Sequence, residues 1–132
     1  ECEANLLGVV STAGGIMTAA PYKVIKADHW ALEGTGLKDG DLFGARTLHE
    51  RCPGGASGYE MDVISRYSPA ATVVLAKGQN PEGSGAEMAC YELASGGAVF
   101  AAGSITYVSA LLTDEAVSRI TANVVRRFMR LM

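Results

Sequence analysis

Histidine is scarce in this chain: the two present, His29 and His49, lie 20 residues apart. They form neither an HxH nor an HxxxH pair, which excludes the usual paired-imidazole zinc site. Cysteine is almost as rare and is odd in number. Cys2, Cys52 and Cys90 make neither a disulfide framework nor a CxxC metal or redox pair, and they read as reduced thiols of a cytoplasmic protein. No apolar run approaches the roughly 18 residues that a membrane-spanning helix needs. Positive charge is not in excess either. With 11 Lys+Arg against 14 Asp+Glu and a net charge of −3, the chain gives a nucleic-acid polyanion no general reason to bind. The opening Glu1-Cys2-Glu3 lacks an initiator Met and a basic stretch. No signal peptide is expected, and the chain is expected to begin inside a longer one.

Glycine is what the chain has instead. Its 16 glycines, against 4 prolines, cluster at intervals that suit tight turns between short strands. The 48% hydrophobic content and 132-residue length are those of one domain able to bury a core. Residues 1–132 are therefore expected to be a single domain or a fragment of one.

Strand-length apolar and β-branched runs cover 6–11, 22–26, 58–64, 72–76, 86–93 and 97–102. Val73-Val74-Leu75-Ala76 is continuous, as for a strand covered on both faces. Met88, Cys90 and Glu92 alternate with Glu87, Ala89 and Tyr91, an edge-like pattern. The intervening Ala94-Ser95-Gly96 predicts an antiparallel hairpin between the last two runs. One helix is predicted, with Thr113 as N-cap, Asp114 and Glu115 in the first turn, and Arg126, Arg127 and Arg130 near the end. Val117, Ile120, Val124, Phe128 and Leu131 recur on its one apolar face. The expected fold class is α+β: a short-stranded mixed or antiparallel sheet with a C-terminal amphipathic helix.

The densest polar segment runs from Leu48 to Asp62. Its glycines allow backbone to approach a ligand or another strand closely. Glu60 and Asp62 are two apart, so on a strand they share a face, where two carboxylates raise one another's pKa or share a metal. This makes them candidates for acid/base work. The plainer reading is a solvated strand face with Tyr59 and Met61 directed into the core. Gly54-Gly55-Ala56-Ser57-Gly58 lacks the Lys and Ser/Thr of a phosphate-binding loop. It also misses the Gly-x-Ser-x-Gly spacing of a nucleophile elbow. Cys52 stands three residues from His49, so a Cys–His pair could arise only through the loop's own geometry, and Cys90 reads as an inert mid-strand thiol. His29 beside Trp30 reads as a packed or capping residue. Gly103-Ser104-Ile105-Thr106 and Tyr107 join the last strand to the helix, where α/β folds place ligands but where a packing turn serves equally.

Taken in order, these segments resemble a known family. The series is Asn5-Leu6-Leu7-Gly8-Val9-Val10; Trp30 with Glu33-Gly34-Thr35-Gly36-Leu37-Lys38-Asp39-Gly40-Asp41; Gly54-Gly55-Ala56-Ser57-Gly58-Tyr59-Glu60-Met61-Asp62; Thr72-Val73-Val74-Leu75-Ala76; and, further on, Gly96-Gly97-Ala98-Val99-Phe100, Gly103-Ser104-Ile105-Thr106-Tyr107 and the stretch 117–125. From about Asn5 to Phe128 it is similar to the C-terminal domain of the N,N-dimethylformamidase large (beta) subunit family. The resemblance implies that the chain is the last part of a flavodoxin-like, class I glutamine amidotransferase-like α/β domain. It implies hydrolysis of a small amide substrate, as of N,N-dimethylformamide to dimethylamine and formate, on an iron held by two tyrosines and a glutamate. Those ligands are expected upstream of Glu1, so this chain alone is not expected to bind iron or to be active. Glu60 is carried over as a catalytic candidate beside the metal, with Asp62 in the same motif. A small subunit or a second copy is the implied protein partner, with no nucleic acid and no membrane. The competing reading is a non-catalytic structural or interaction domain.

Overall fold

A computed structural model describes residues 2–48, 50 and 53–131, with only the backbone of Leu131. In chain order the strands are Val10–Thr12 (β1), Ala19–Ala20 (β2), Tyr22–Val24 (β3), Leu42–Phe43 (β4), Ser57–Gly58 (β5), Met61–Val63 (β6), Val73–Gly78 (β7), Glu87–Glu92 (β8) and Ala98–Ala101 (β9). The helices are Ala4–Leu7 (α1), Tyr107–Ala110 (α2) and Glu115–Leu131 (α3), with 3-10 turns at Trp30–Leu32 and Pro81–Gly83. Five strands make one sheet in the order β4-β3-β7-β8-β9, and β1-β6 and β2-β5 make two small ribbons. All of these pairings are antiparallel. The chain is thus α+β with small antiparallel sheets and a C-terminal helix. The described strands contain no parallel pair of the kind a flavodoxin-like domain is built on.

The long apolar run of β7 takes the centre of the main sheet, as continuous hydrophobicity predicts. Its register shifts between Val74 and Ala76. The Leu75 carbonyl at that bulge accepts from the N–H groups of both Ile25 (2.8 Å) and Lys26 (3.1 Å), so the extra residue serves the chain leaving β3. The predicted hairpin joins β8 to β9, with Glu92 opposite Ala98.

Three strand expectations need correction. Run 6–11 begins as helix: the N–H of Leu7 bonds to Glu3 and that of Gly8 to Ala4, and Gly8 at φ 79° ends the turn as a left-handed glycine cap. The strand starts only at Val10. Run 58–64 is broken because Tyr59 stands at φ 68°, which separates β5 from β6. The edge-like reading of 86–93 also fails, since β8 lies between β7 and β9 with Met88 to Tyr91 buried. Met88 and Cys90 join the core cluster that contains Val117, Ile120 and Val124. On the opposite face, Tyr91 gives its hydroxyl to the Leu6 carbonyl at 2.5 Å, so α1 covers the side that alternation left open.

α3 lays Val117, Ile120 and Val124 into the core. Asn123 donates from Nδ2 to the carbonyls of Ala31 (3.0 Å) and Glu33 (2.7 Å), tying the helix to the 3-10 turn Trp30–Leu32. Its N-cap is Asp114, not Thr113. The Asp114 carboxylate accepts from Val117 N–H at 3.0 Å and from Gly44 N–H at 2.8 Å, whereas Thr113 Oγ1 turns away to the Arg46 carbonyl. A carboxylate accepts two backbone donors at the positive end of the helix, where one hydroxyl would accept fewer. Asp114→Ala is accordingly expected to cost about 1–2 kcal/mol, and Thr113→Ala about 0.5 kcal/mol. Urea denaturation of the two variants checks the order; equal losses would return the cap to Thr113.

Candidate functional site

The segment from Gly54 to Asp62 is built first by its glycines. A Cβ at Gly55 (φ 148°) would overlap the carbonyl of Ala20, so β5 lies against β2 at a distance no larger residue allows. The close approach is therefore strand to strand, not strand to ligand. It drives Ser57 into the interior, fully buried. Ser57 Oγ donates to Asn80 Oδ1 at 2.7 Å and accepts from Ala86 N–H at 3.0 Å. Asn80 Nδ2 returns to the Ser57 carbonyl (3.0 Å) and reaches Thr18 Oγ1 (2.9 Å).

The stretch after β9 closes the same network. Ser104 Oγ accepts from Gly58 N–H at 2.7 Å and donates to the Gly58 carbonyl at 3.1 Å. Thr106 Oγ1 donates to the Gly55 carbonyl. Tyr107 is buried with its hydroxyl 2.9 Å from Thr121 Oγ1, and burial pushes that phenol up to about 12. The segment Gly103 to Tyr107 thus works mainly as a packing turn. The sequence places Ser104, Thr106 and Tyr107 in a stretch that suits a ligand site or a packing turn, but does not mark the bonds that Ser104 and Thr106 make to the glycine segment. The available signal was small hydroxyl residues beside tightly approaching glycines.

Glu60 and Asp62 lie just past this network. Because Tyr59 turns the chain, Glu60 is outside β6 and the two carboxylates do not share a strand face. They come together nevertheless, along an open groove of about 420 Å3 bordered also by Leu7, Val9, Phe100 and Gly103. Backbone holds both: Asp62 N–H donates to the Gly103 carbonyl at 2.8 Å, and the Glu60 carbonyl accepts from Ile105 N–H at 3.2 Å. Met61 between them is fully buried, as the plainer reading of this strand required. Glu60 is exposed and Asp62 half-buried. Partial burial, then the negative charges of Glu3 and Glu60, raise the Asp62 carboxyl above its ordinary value. Such a group can exchange a proton with a molecule lying in the groove. A wider cleft of about 590 Å3 lies at the start of α3, but it contains neither of these two residues.

The raised Asp62 value has a stability consequence of definite sign. A folded-state pKa above the unfolded one means that the fold favours the protonated form, so stability is lost as pH rises through the folded value. Asp62→Asn should therefore gain a few tenths of a kcal/mol at pH 7, solvent screening keeping the gain small. The gain should vanish below the ordinary carboxylate range near pH 3–4. Thermal melts of both forms at pH 3 and pH 7 test this, and a pH-independent difference would contradict it.

Other candidates resolve differently. His29 is a cap: its Nδ1 accepts from Ala31 N–H at 3.2 Å, and its ring lies 5.0 Å from that of Trp30. Burial lowers its pKa. Cys90 is buried and its thiol pushed up to about 11 by desolvation, so it stays protonated and unreactive. The pairing of His49 with Cys52 lies outside the described residues.

Iron fits poorly here. Among the described residues, no group of three or more His, Cys, Asp or Glu could hold a metal ion. The hydroxyls of Tyr22 and Tyr91 are spent on the carbonyls of Ala102 and Leu6, and that of Tyr107 on Val117 and Thr121. Tyr22, Tyr91 and Tyr107 are thus committed within the fold and do not offer their hydroxyls to a metal.

The fold is an antiparallel α+β unit, held by a glycine-docked hydroxyl network and edged by two carboxylates. The chain belongs to the family described as N,N-dimethylformamidase beta subunit-like, C-terminal, whose sequence pattern matches residues 1–119. The match ends inside α3. A search of curated proteins found no match. Among the described residues, no helix is long and apolar enough to cross a membrane.

Proposed function

We propose that this chain is the C-terminal domain of a subunit that hydrolyses small amides, and that it contributes Glu60 as a proton-carrying group at the edge of the cleft. The supporting observation is that Glu60 and Asp62 line one groove although Glu60 lies outside β6. In this reading Glu60, exposed at the groove, takes a proton from the attacking water and returns it to the departing amine. Asp62, half-buried behind it and pinned through its backbone, is the positioning residue. No step assigned to Glu60 or Asp62 is routed through a metal.

The finer expectations rest on the resemblance. Iron chemistry, a small subunit or second copy as partner, and the last part of a flavodoxin-like domain all belong to this proposal. The antiparallel pairing of the described strands lends the last of these no support. A cytoplasmic setting is consistent with Cys2 and Cys90, which are free.

A structural role is the second reading, favoured by the consumption of Gly54 to Gly58 in docking β5 against β2. Formate release from N,N-dimethylformamide by the protein that carries this domain separates the two. The catalytic reading requires that Glu60→Gln slow the reaction, and an unchanged rate leaves the structural one.

A further inference from the structure

The cations of α3 are distributed in a way that the helix itself does not explain. Arg126 and Arg130 near its end suit the macrodipole, but Arg119 stands in the second turn, where the dipole gives a cation no advantage. At 100° per residue, Arg119, Arg126 and Arg130 fall within about 40° of one another, a stripe roughly 16 Å long. All three are exposed. Among the described residues none of them makes an ion pair, whereas Arg127, turned off the stripe, pairs with Glu92 at 3.1 Å and lies over the Trp30 ring at 5.5 Å. Arg126 and Arg130 are also like charges at i,i+4, an arrangement that weakens a helix left to itself.

The ground beside the stripe is concave. Gly34 and Thr35 border the cleft of about 590 Å3 along Arg119 and Arg126. Trp30 and Asn123 border a second of about 270 Å3 along Arg126 and Arg130. Three acidic residues also line these clefts, Asp114 and Glu115 the first and Glu33 the second. Asp114 is committed to two backbone N–H groups, and Glu115 sits with it at the helix start.

We infer that the Arg119–Arg126–Arg130 stripe is a docking surface for an acidic, extended protein segment. Charge complementarity selects the acid, because three unpaired guanidiniums are each able to fork onto a carboxylate. Length selects an extended chain, of which about five residues span 16 Å at roughly 3.3 Å each. The remainder of the molecule selects against nucleic acid. With three of the chain's 11 cations in the stripe and a net charge of −3 overall, a long polyanion meets repulsion outside it, and a short acidic segment does not. Trp30, the one tryptophan in the chain, borders the site and reports its occupancy.

The experiment is titration of the full chain with fluorescein-labelled hexaglutamate at 50 mM salt, read by anisotropy and, with unlabelled peptide, by Trp30 emission. Saturable binding with a change in Trp30 emission is expected. It should weaken at least tenfold in Arg119→Gln/Arg126→Gln/Arg130→Gln and in 500 mM salt, and persist in Lys23→Gln/Arg66→Gln. Circular dichroism checks that the triple variant folds; should it not, Arg119→Gln alone is expected to weaken binding about threefold. Absence of saturable binding, equal binding by the folded Arg119 variants, or tighter binding of single-stranded RNA of equal charge overturns the proposal.

Discussion

Gly55→Ala is expected to abolish the cooperative fold or to destabilise it by more than about 3 kcal/mol. The added methyl would overlap the Ala20 carbonyl, which is backbone and cannot rotate aside. Relief requires β5 to move away from β2, and Ser57 moves with it. Ala86 N–H and Asn80 Oδ1 then lose their buried partner, each at a cost of about 1–3 kcal/mol. Gly36→Ala is the control, because Gly36 has φ 74° but nothing within 4 Å of an added Cβ. It carries only the left-handed penalty of about 1–2 kcal/mol. Urea unfolding followed by circular dichroism reads both, and a Gly55→Ala midpoint as high as that of Gly36→Ala would show that the strand-to-strand contact is not a constraint.

Glu60→Gln should lower kcat for amide hydrolysis about 10²–10⁴-fold, the usual contribution of a general acid–base group, with KM little changed. The substitution keeps shape and removes only the ability to carry a proton. Its fold cost is small because Glu60 is exposed and its structural contacts are made by backbone. A loss of activity with an unchanged melting temperature is therefore chemical in origin. Asp62→Asn should instead displace the pH–rate profile. An active Glu60→Gln protein would mean that the family's acidic segment is kept for its backbone path.

How far these features could be read from the residues depended on whether the signal was local. α3 was legible because Val117, Ile120 and Val124 repeat at the helical period, and the β8–β9 hairpin because Ala94-Ser95-Gly96 separates two apolar runs. His29 was legible as a cap from its neighbour Trp30. The sequence places the N-cap one residue early because Thr113 and Asp114 are both good caps, and the Arg46 carbonyl that takes the Thr113 hydroxyl and the Gly44 N–H that reaches Asp114 both lie far off in the chain. Tyr59 at φ 68° carries no local mark of a turn. The buried position of β8 depends on α1, which the run 6–11 disguised as strand. Glu60 and Asp62 were named from sequence on the premise of a shared strand face; the fold brings them to one groove by another route. The Ser57–Asn80–Ser104 network was not legible at all, since it joins residues far apart in sequence.

That distance has a consequence in time. β7, β8 and β9 follow one another along the chain and pair with their neighbours, so this meander can assemble by closing short loops. β3 can pair early with β4, but β1 and β2 find their partners only in β6 and β5, more than 30 residues onward. During synthesis β1 and β2 therefore wait unpaired until the stretch that carries β5 and β6 has emerged.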